Sequence, residues 1–240
     1  MPILEGRIAL ISGAGRGIGR ATAVAFSREG ASLLLLARTL DQLKETAALC
    51  EDGDGEVVTL SVDLLDTDAI SDAIGTARRT FPTIDILINN AAMFDSGIMA
   101  EYTSDRFEAM FKTNVLAPFC LAKAVIPMMK AQGGGTIVNI SSYSGCFGVE
   151  KFPGFGAYNI TKYALWGLTE ILAIENKSFG IRVNQVSPSG VDTQMFREAV
   201  PPGVLPDLSP ENVASKILFL ASDDSAPLTG SNILIPEPEG

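Results

Sequence analysis

Residues Arg7–Phe26 read RIALISGAGRGIGRATAVAF: an apolar strand-like run, a turn with glycines at 13, 15, 17 and 19, and an alanine-rich stretch with helical spacing. A turn without side chains lets the backbone N–H groups at the start of a helix come close to a ligand phosphate. The spacing Gly13-x-x-x-Gly17-x-Gly19 differs from the G-x-G-x-x-G of the commonest dinucleotide fingerprint. Taken by itself, the turn fits either a phosphate cradle or a tight structural bend.

The same strand-then-helix alternation runs outward from this stretch. Short β-branched or Leu-rich runs at 8–12, 32–37, 57–62, 84–89, 136–141, 182–187 and 232–235 predict seven strands. Helical patterns occupy 18–29, 40–50, 67–80, 104–131, 157–178 and 210–221. Near-continuous apolar strands separated by helices imply a parallel sheet covered on both faces. Right-handed crossovers then favour an α/β, doubly wound Rossmann sheet. No repeat, low-complexity linker or composition shift divides the chain, so residues 1–240 are expected to form a single domain.

Composition removes several function classes. The chain is 47% hydrophobic and 19% charged, which supports a large core rather than disorder. Its net charge of −10 opposes binding to a phosphate backbone, because nucleic-acid affinity rests on Lys and Arg. The first strand begins by Arg7, leaving little room for a leader, and no apolar run stands out as a membrane span. A cytoplasmic protein with neither a nucleic-acid nor a membrane partner is expected. Cys50, Cys120 and Cys146 are widely spaced and suggest neither a disulfide framework nor a metal site. The chain has no histidine, so Ser-His-acid triads and His-ligated zinc are excluded. Proton chemistry falls to Tyr, Lys, Asp, Glu or Cys.

Five elements occur in order: Ser12-Gly13-Ala14-Gly15-Arg16-Gly17-Ile18-Gly19, Asn89-Asn90-Ala91-Ala92, Asn114, Ser142, and Tyr158-Asn159-Ile160-Thr161-Lys162. Together they resemble the short-chain dehydrogenase/reductase family over nearly the whole chain. Length and the stretch FLASDDSAPLTGSNI are most similar to its 3-oxoacyl-carrier-protein reductase-type branch. The resemblance implies a nicotinamide-dependent oxidoreductase with Asn114, Ser142, Tyr158 and Lys162 as its catalytic group. It implies that Asn114 holds a water linked to the lysine, and that Lys162 also grips the nicotinamide ribose. Cofactor contacts are implied for Ser12, Gly13, Gly15, Arg16, Gly17, Ile18, Gly19, Asp63, Leu64, Asn90, Ala91, Tyr158, Lys162, Val191 and Thr193.

The chemistry is also legible from the residues themselves. Tyr158 and Lys162 are four apart on a helix, which puts their Cβ atoms roughly 5 to 6 Å apart on one face. A tyrosine hydroxyl titrates near 10, and holding it near 7 takes about 4 kcal/mol of phenolate stabilisation. A neighbouring ammonium and the positive nicotinamide ring are the groups expected to supply it. Tyr158 then gives a proton to a carbonyl oxygen, or takes one in reverse. Ser142, just past the fifth strand, stands where open α/β sheets place ligands and can orient the substrate oxygen.

Cofactor choice is read at the end of the second strand, where an acid usually holds the adenosine ribose of NAD. Here Ala37 and Arg38 occupy that place, and Arg16 is a second guanidinium for the same 2′-phosphate. NADP(H) is therefore expected.

The chain also departs from the family pattern. Pro188-Ser189-Gly190 moves the usual glycine by one, and only about sixteen residues separate Thr193 from the helix at Pro210. The longer segment YSGCFGVEKFPGFGA carries Tyr143, Phe147, Phe152 and Phe155, which fit two readings: an apolar wall or anchors for the loop. Lys130 and Lys177 are the basic residues expected near the entrance. An acidic protein repels an acidic carrier, so a small carbonyl or alcohol is the expected substrate. The alternatives are a carrier-protein reductase and a redox-silent NADP-binding sensor or assembly protein. Apolar residues on the two long helices, and the chain end ILIPEPEG, lead to the expectation of a homodimer or homotetramer.

Overall fold

A computed structural model describes residues 2–236. Seven strands, β1 (Ile8–Ser12), β2 (Ser32–Ala37), β3 (Val57–Ser61), β4 (Ile86–Asn89), β5 (Gly135–Ile140), β6 (Ile181–Pro188) and β7 (Asn232–Ile235), form one sheet in the order β3-β2-β1-β4-β5-β6-β7. Every pairing is parallel. The order reverses at β1, where β2 and β4 flank it on either side; a doubly wound sheet opens its ligand crevice at such a switch point.

The alternation of side chains along each strand builds the two layers. Ala9, Ile11, Leu33 and Leu35 enter one core with Ala23 and Phe26 of α1 (Gly17–Arg28), Leu43 of α2 (Leu40–Ala48) and Ile217 of α8 (Pro210–Ala221). Leu10, Leu34, Leu36 and Leu87 enter the opposite core with Ile74 of α3 (Thr67–Ala77), Leu121 of α5 (Ala117–Gln132) and Leu172 of α6 (Gly156–Asn176). A strand buried on both faces has no polar positions to alternate, which is why SLLLLA reads as an unbroken apolar run.

Two elements differ from expectation. The long helix predicted at 104–131 is α4 (Ser104–Phe111), a π-helical turn (Lys112–Leu116) and α5 in continuous succession. A π turn inserts one residue into the helical ladder, which apolar spacing does not reveal. By length and composition the run Ser104–Gln132 is long and apolar enough to cross a membrane, contrary to the expectation that no run stands out. Met110, Ala117, Leu121, Val125 and Met129 are buried in the protein itself. Between Thr193 and Pro210 a short helix α7 (Gln194–Ala199) also forms, with Thr193 as its cap, its hydroxyl accepting from Phe196 N at 3.2 Å.

Candidate active site

The glycine loop leaves β1 and enters α1 at the switch point. Arg16 caps α1 without a side-chain bond to the helix end, and no acid stands in its first turn, so the positive end of the helix is open to an anion. Gly17 has φ +55°, and a side chain there would come within 3.2 Å of the Thr193 methyl group. The loop is thus bare on the side that α7 covers, and this cradle fits a dinucleotide pyrophosphate.

Ser12 and Asn90 hold the loop from behind. The Ser12 hydroxyl accepts from Asn90 N (3.0 Å) and Ala91 N (3.1 Å) and donates to Ile88 O (3.3 Å). The Asn90 amide donates to Ser12 O (3.0 Å) and Gly13 O (3.1 Å). Both side chains therefore stitch β1 to β4. The Arg16 guanidinium donates to the Gln194 side chain, reaching across the loop to α7. Arg38 is exposed beside half-buried Ala37, its carbonyl accepting from Ser61 Oγ at 2.8 Å. Exposed Asp63 and buried Leu64 follow β3 on the adjoining edge, with an Asp63 oxygen accepting from Leu65 N at 3.0 Å.

Across the crevice, Ser142 follows β5 and Tyr158 and Lys162 project from α6. Burial pushes the Tyr158 hydroxyl up to about 12, opposed by its hydrogen bond with Ser142. Burial pushes the Lys162 ammonium down to about 7. Its Nζ donates to Ile140 O at 2.8 Å and lies 5.5 Å from the Tyr158 ring centre. A tyrosine held near 7 is thus not what the protein groups alone provide, because removing a phenolate from water outweighs one hydroxyl donor. Burial drives both groups toward their neutral forms.

Asn114 sits inside the π turn, fully buried. Its side-chain oxygen accepts from Met93 N (2.7 Å), and its amide donates to Met93 O (2.9 Å) and Thr161 Oγ1 (3.0 Å). Thr161 in turn donates to Tyr158 O at 2.8 Å. Asn114 therefore locks the segment after β4 to α6.

Several residues that sequence reasoning passed over complete the site. Lys151 folds back onto the loop after Ser142, donating to the carbonyls of Tyr143 (3.2 Å), Ser144 (3.1 Å) and Cys146 (2.7 Å). Phe94 packs T-shaped on Tyr158 with ring centres 5.3 Å apart and meets Phe155 at 4.7 Å. Its place five residues after Asn89 was the available signal. Phe147, by contrast, is 87% exposed and leans on Tyr163. It takes no part in the aromatic row beside Tyr158.

The displaced glycine has a structural reason. A side chain on Gly190 would come within 2.7 Å of the Phe196 ring, and the Gly190 amide is held by Asp207 Oδ2 at 3.0 Å. Val191 is buried and bridges to Leu208, so the segment after β6 is pinned on both sides. Lys130 and Lys177 are not at the entrance. They lie where α5 and α6 run out toward the beginnings of β5 and β6, the sheet edge opposite Ser142, and Lys130 stacks 3.9 Å from the Phe179 ring. Helices that return antiparallel to the strands must end there.

Comparison with known proteins agrees with this geometry. A family model described as short chain dehydrogenase matches residues 7–202. Trans-4-hydroxycyclohexanecarboxylate dehydrogenase from Sinomonas cyclohexanicum is 35% identical over 95% of this chain and 91% of its own. The 3-oxoacyl-acyl-carrier-protein reductase of Thermotoga maritima is 32% identical over 96% of each. Carveol dehydrogenase from Mycobacterium avium, solved in complex with NAD, has a TM-score of 0.89 at 28% identity and covers 98% of each chain. With the family model matching residues 7–202 and relatives above 30% identity aligned over nearly its whole length, the chain belongs to the short-chain dehydrogenase family of oxidoreductases.

Proposed function

We propose that the protein is an NADPH-dependent reductase that interconverts a ketone and a secondary alcohol, with Tyr158 as general acid/base. The observation that carries this reading is the meeting, across the crevice from the glycine cradle, of the buried Tyr158 hydroxyl, its hydrogen-bond partner Ser142, and Lys162 with its Nζ 5.5 Å from the Tyr158 ring centre. A protonated phenol is suited to protonating a carbonyl oxygen, and its phenolate to taking the proton back in the reverse direction. Ser142 orients that oxygen from the other side. Lys162 lies one helical turn on from Tyr158 and serves both the proton path and the ribose. The Asn114 side chain is bonded to Met93 and Thr161, which ties the segment after β4 to the helix that carries Tyr158 and Lys162.

When bound, the reduced nicotinamide supplies the hydride. The N-terminal end of α1 would hold its pyrophosphate. Asp63, Leu64, Asn90 and Ala91 would line the adenosine side, with Val191 and Thr193 on the nicotinamide side. The preference for NADP rests on Arg38, the exposed cation where an acid would repel a 2′-phosphate. Arg16, which donates to Gln194 on α7, is the second guanidinium for that phosphate, from within the glycine loop. Three free cysteines suit the reducing cytoplasm in which NADPH is supplied. On this reading residues 1–240 act as one unit, since cradle and catalytic group stand on one sheet.

We further propose assembly through the outer faces of the long helices. Phe111, Phe119, Ile160, Ile171 and Ile174 are exposed there, while Met110, Leu121, Leu165 and Leu172 are consumed by the protein's own core. Such a covered apolar face would brace the helix carrying Tyr158. The expectation for the end ILIPEPEG concerns a segment whose residues 237–240 lie outside the described ones.

The test is a panel of ketones with NADPH or NADH, followed by loss of nicotinamide absorbance. Turnover with NADPH preferred supports the reading. Cofactor binding without turnover of any carbonyl favours the redox-silent alternative, and turnover restricted to acyl-carrier thioesters favours the carrier-protein reductase.

A further inference from the structure

A row of aromatic rings leads away from Tyr158. Phe94 stands 5.3 Å from it, Phe155 4.7 Å from Phe94, and Phe152 6.0 Å from Phe155. Phe152, at the outer end, is 58% exposed. A carbonyl oxygen that accepts from the Tyr158 hydroxyl therefore brings the rest of its molecule within a ring's breadth of Phe94.

This row belongs to a stiff rim. The loop after β4 and the loop before α6 are joined by Gly97 N donating to Gly154 O at 2.9 Å and by the Phe94–Phe155 contact. From the other side, Asp95 accepts from Arg106 Nε (2.6 Å), Arg106 Nη2 (2.7 Å) and the Tyr102 hydroxyl (2.9 Å). Arg106 also covers the Tyr102 ring at 4.5 Å. A bidentate pair of this kind fixes a loop better than a single contact does.

The rim's two cations are already engaged. Arg106 is paired with Asp95, and Lys151 is held by three backbone carbonyls. A substrate carboxylate or phosphate lying along the row would lose hydration against Phe94 and Phe155, rings that offer it no hydrogen-bond donor. An apolar ring gains both burial and tilted ring contacts, and it gives up fewer rotors than an open chain.

We propose that the substrate is an uncharged alicyclic or aryl ketone, or its secondary alcohol, whose ring lies against Phe94 and Phe155 and extends toward Phe152. This deepens the ketone-reduction reading and rests on it. The experiment measures kcat/KM with NADPH for three ketones: 4-tert-butylcyclohexanone, 4-oxocyclohexanecarboxylate, and the open-chain 2-decanone. The wild type is expected to favour the apolar ring over each of the others by at least tenfold. In Phe94→Ala that advantage is expected to fall to threefold or less, mainly through a higher KM for the ring. Phe152→Ala, at the exposed end, carries the same comparison if Phe94→Ala does not fold. Preference for the carboxylate or the open chain, or ring selectivity that survives in the folded variant, overturns the ring assignment while leaving ketone reduction intact. No turnover of any ketone overturns both.

Discussion

Lys162 is expected to weaken the fold that carries it. The unfolded chain holds its proton up to pH 10.5, whereas burial brings the folded value down to about 7. Between those values the unfolded state binds more protons, so this residue's contribution to stability rises with pH across that window. Below 7 both states are protonated and the whole cost of burying the charge remains. From the two values that cost is about 5 kcal/mol at pH 6 and about 2 kcal/mol at pH 9. Lys162→Met keeps an unbranched side chain of similar length and removes the charge, but it leaves Ile140 O without the donor now 2.8 Å away. That loss costs about 1 to 2 kcal/mol. The net gain is about 3 kcal/mol at pH 6 and under ~1 kcal/mol at pH 9, on the order of 6 to 12 °C and below ~4 °C in Tm for a chain of this size. Thermal unfolding of both proteins at matched concentration, across pH 6 to 9, reads this directly. A Tm for Lys162→Met that is unchanged or lower at pH 6, or a gain that does not shrink by pH 9, would refute the reasoning. The same variant should lose turnover, a case of stability given up for function.

Tyr158→Phe removes one hydroxyl and should lower kcat by at least ~10²-fold while cofactor affinity, measured by fluorescence titration, stays within about threefold; near-normal turnover sinks the acid/base assignment. Arg38→Asp places a carboxylate at the end of β2 and should move the NADPH-to-NADH ratio of kcat/KM toward NADH by at least ~10-fold, and an unchanged ratio removes Arg38 from cofactor choice. Lys151→Met should free the loop after Ser142 and lower kcat more than it alters cofactor affinity, and an unaltered kcat would show that the three carbonyls need no donor. Light scattering at micromolar concentration should report two or four times the 25.3 kDa chain mass, and Phe119→Glu should shift that mass downward; a monomeric wild type defeats the assembly proposal.

Much of this protein is legible in its sequence because the relevant signals are local. Seven apolar strand runs, six helical periods and a glycine turn between the first pair are enough to imply a parallel, doubly wound sheet. The i, i+4 spacing of Tyr158 and Lys162 places them on one helix face wherever that helix lies. What only the tertiary structure decided are contacts between segments remote in sequence. Phe94 meets Tyr158 because the loop after β4 and the helix after β5 rise from adjoining strands. Lys151 turns back on the serine loop, and Arg16 is drawn to Gln194 on α7, choices made by loop paths that no periodicity encodes. The π turn at Asn114 is invisible because one inserted residue leaves the apolar stripe nearly intact. The proton affinities of Tyr158 and Lys162 follow burial, and burial is a property of the packed molecule, since the same two side chains in an extended chain would titrate as ordinary tyrosine and lysine.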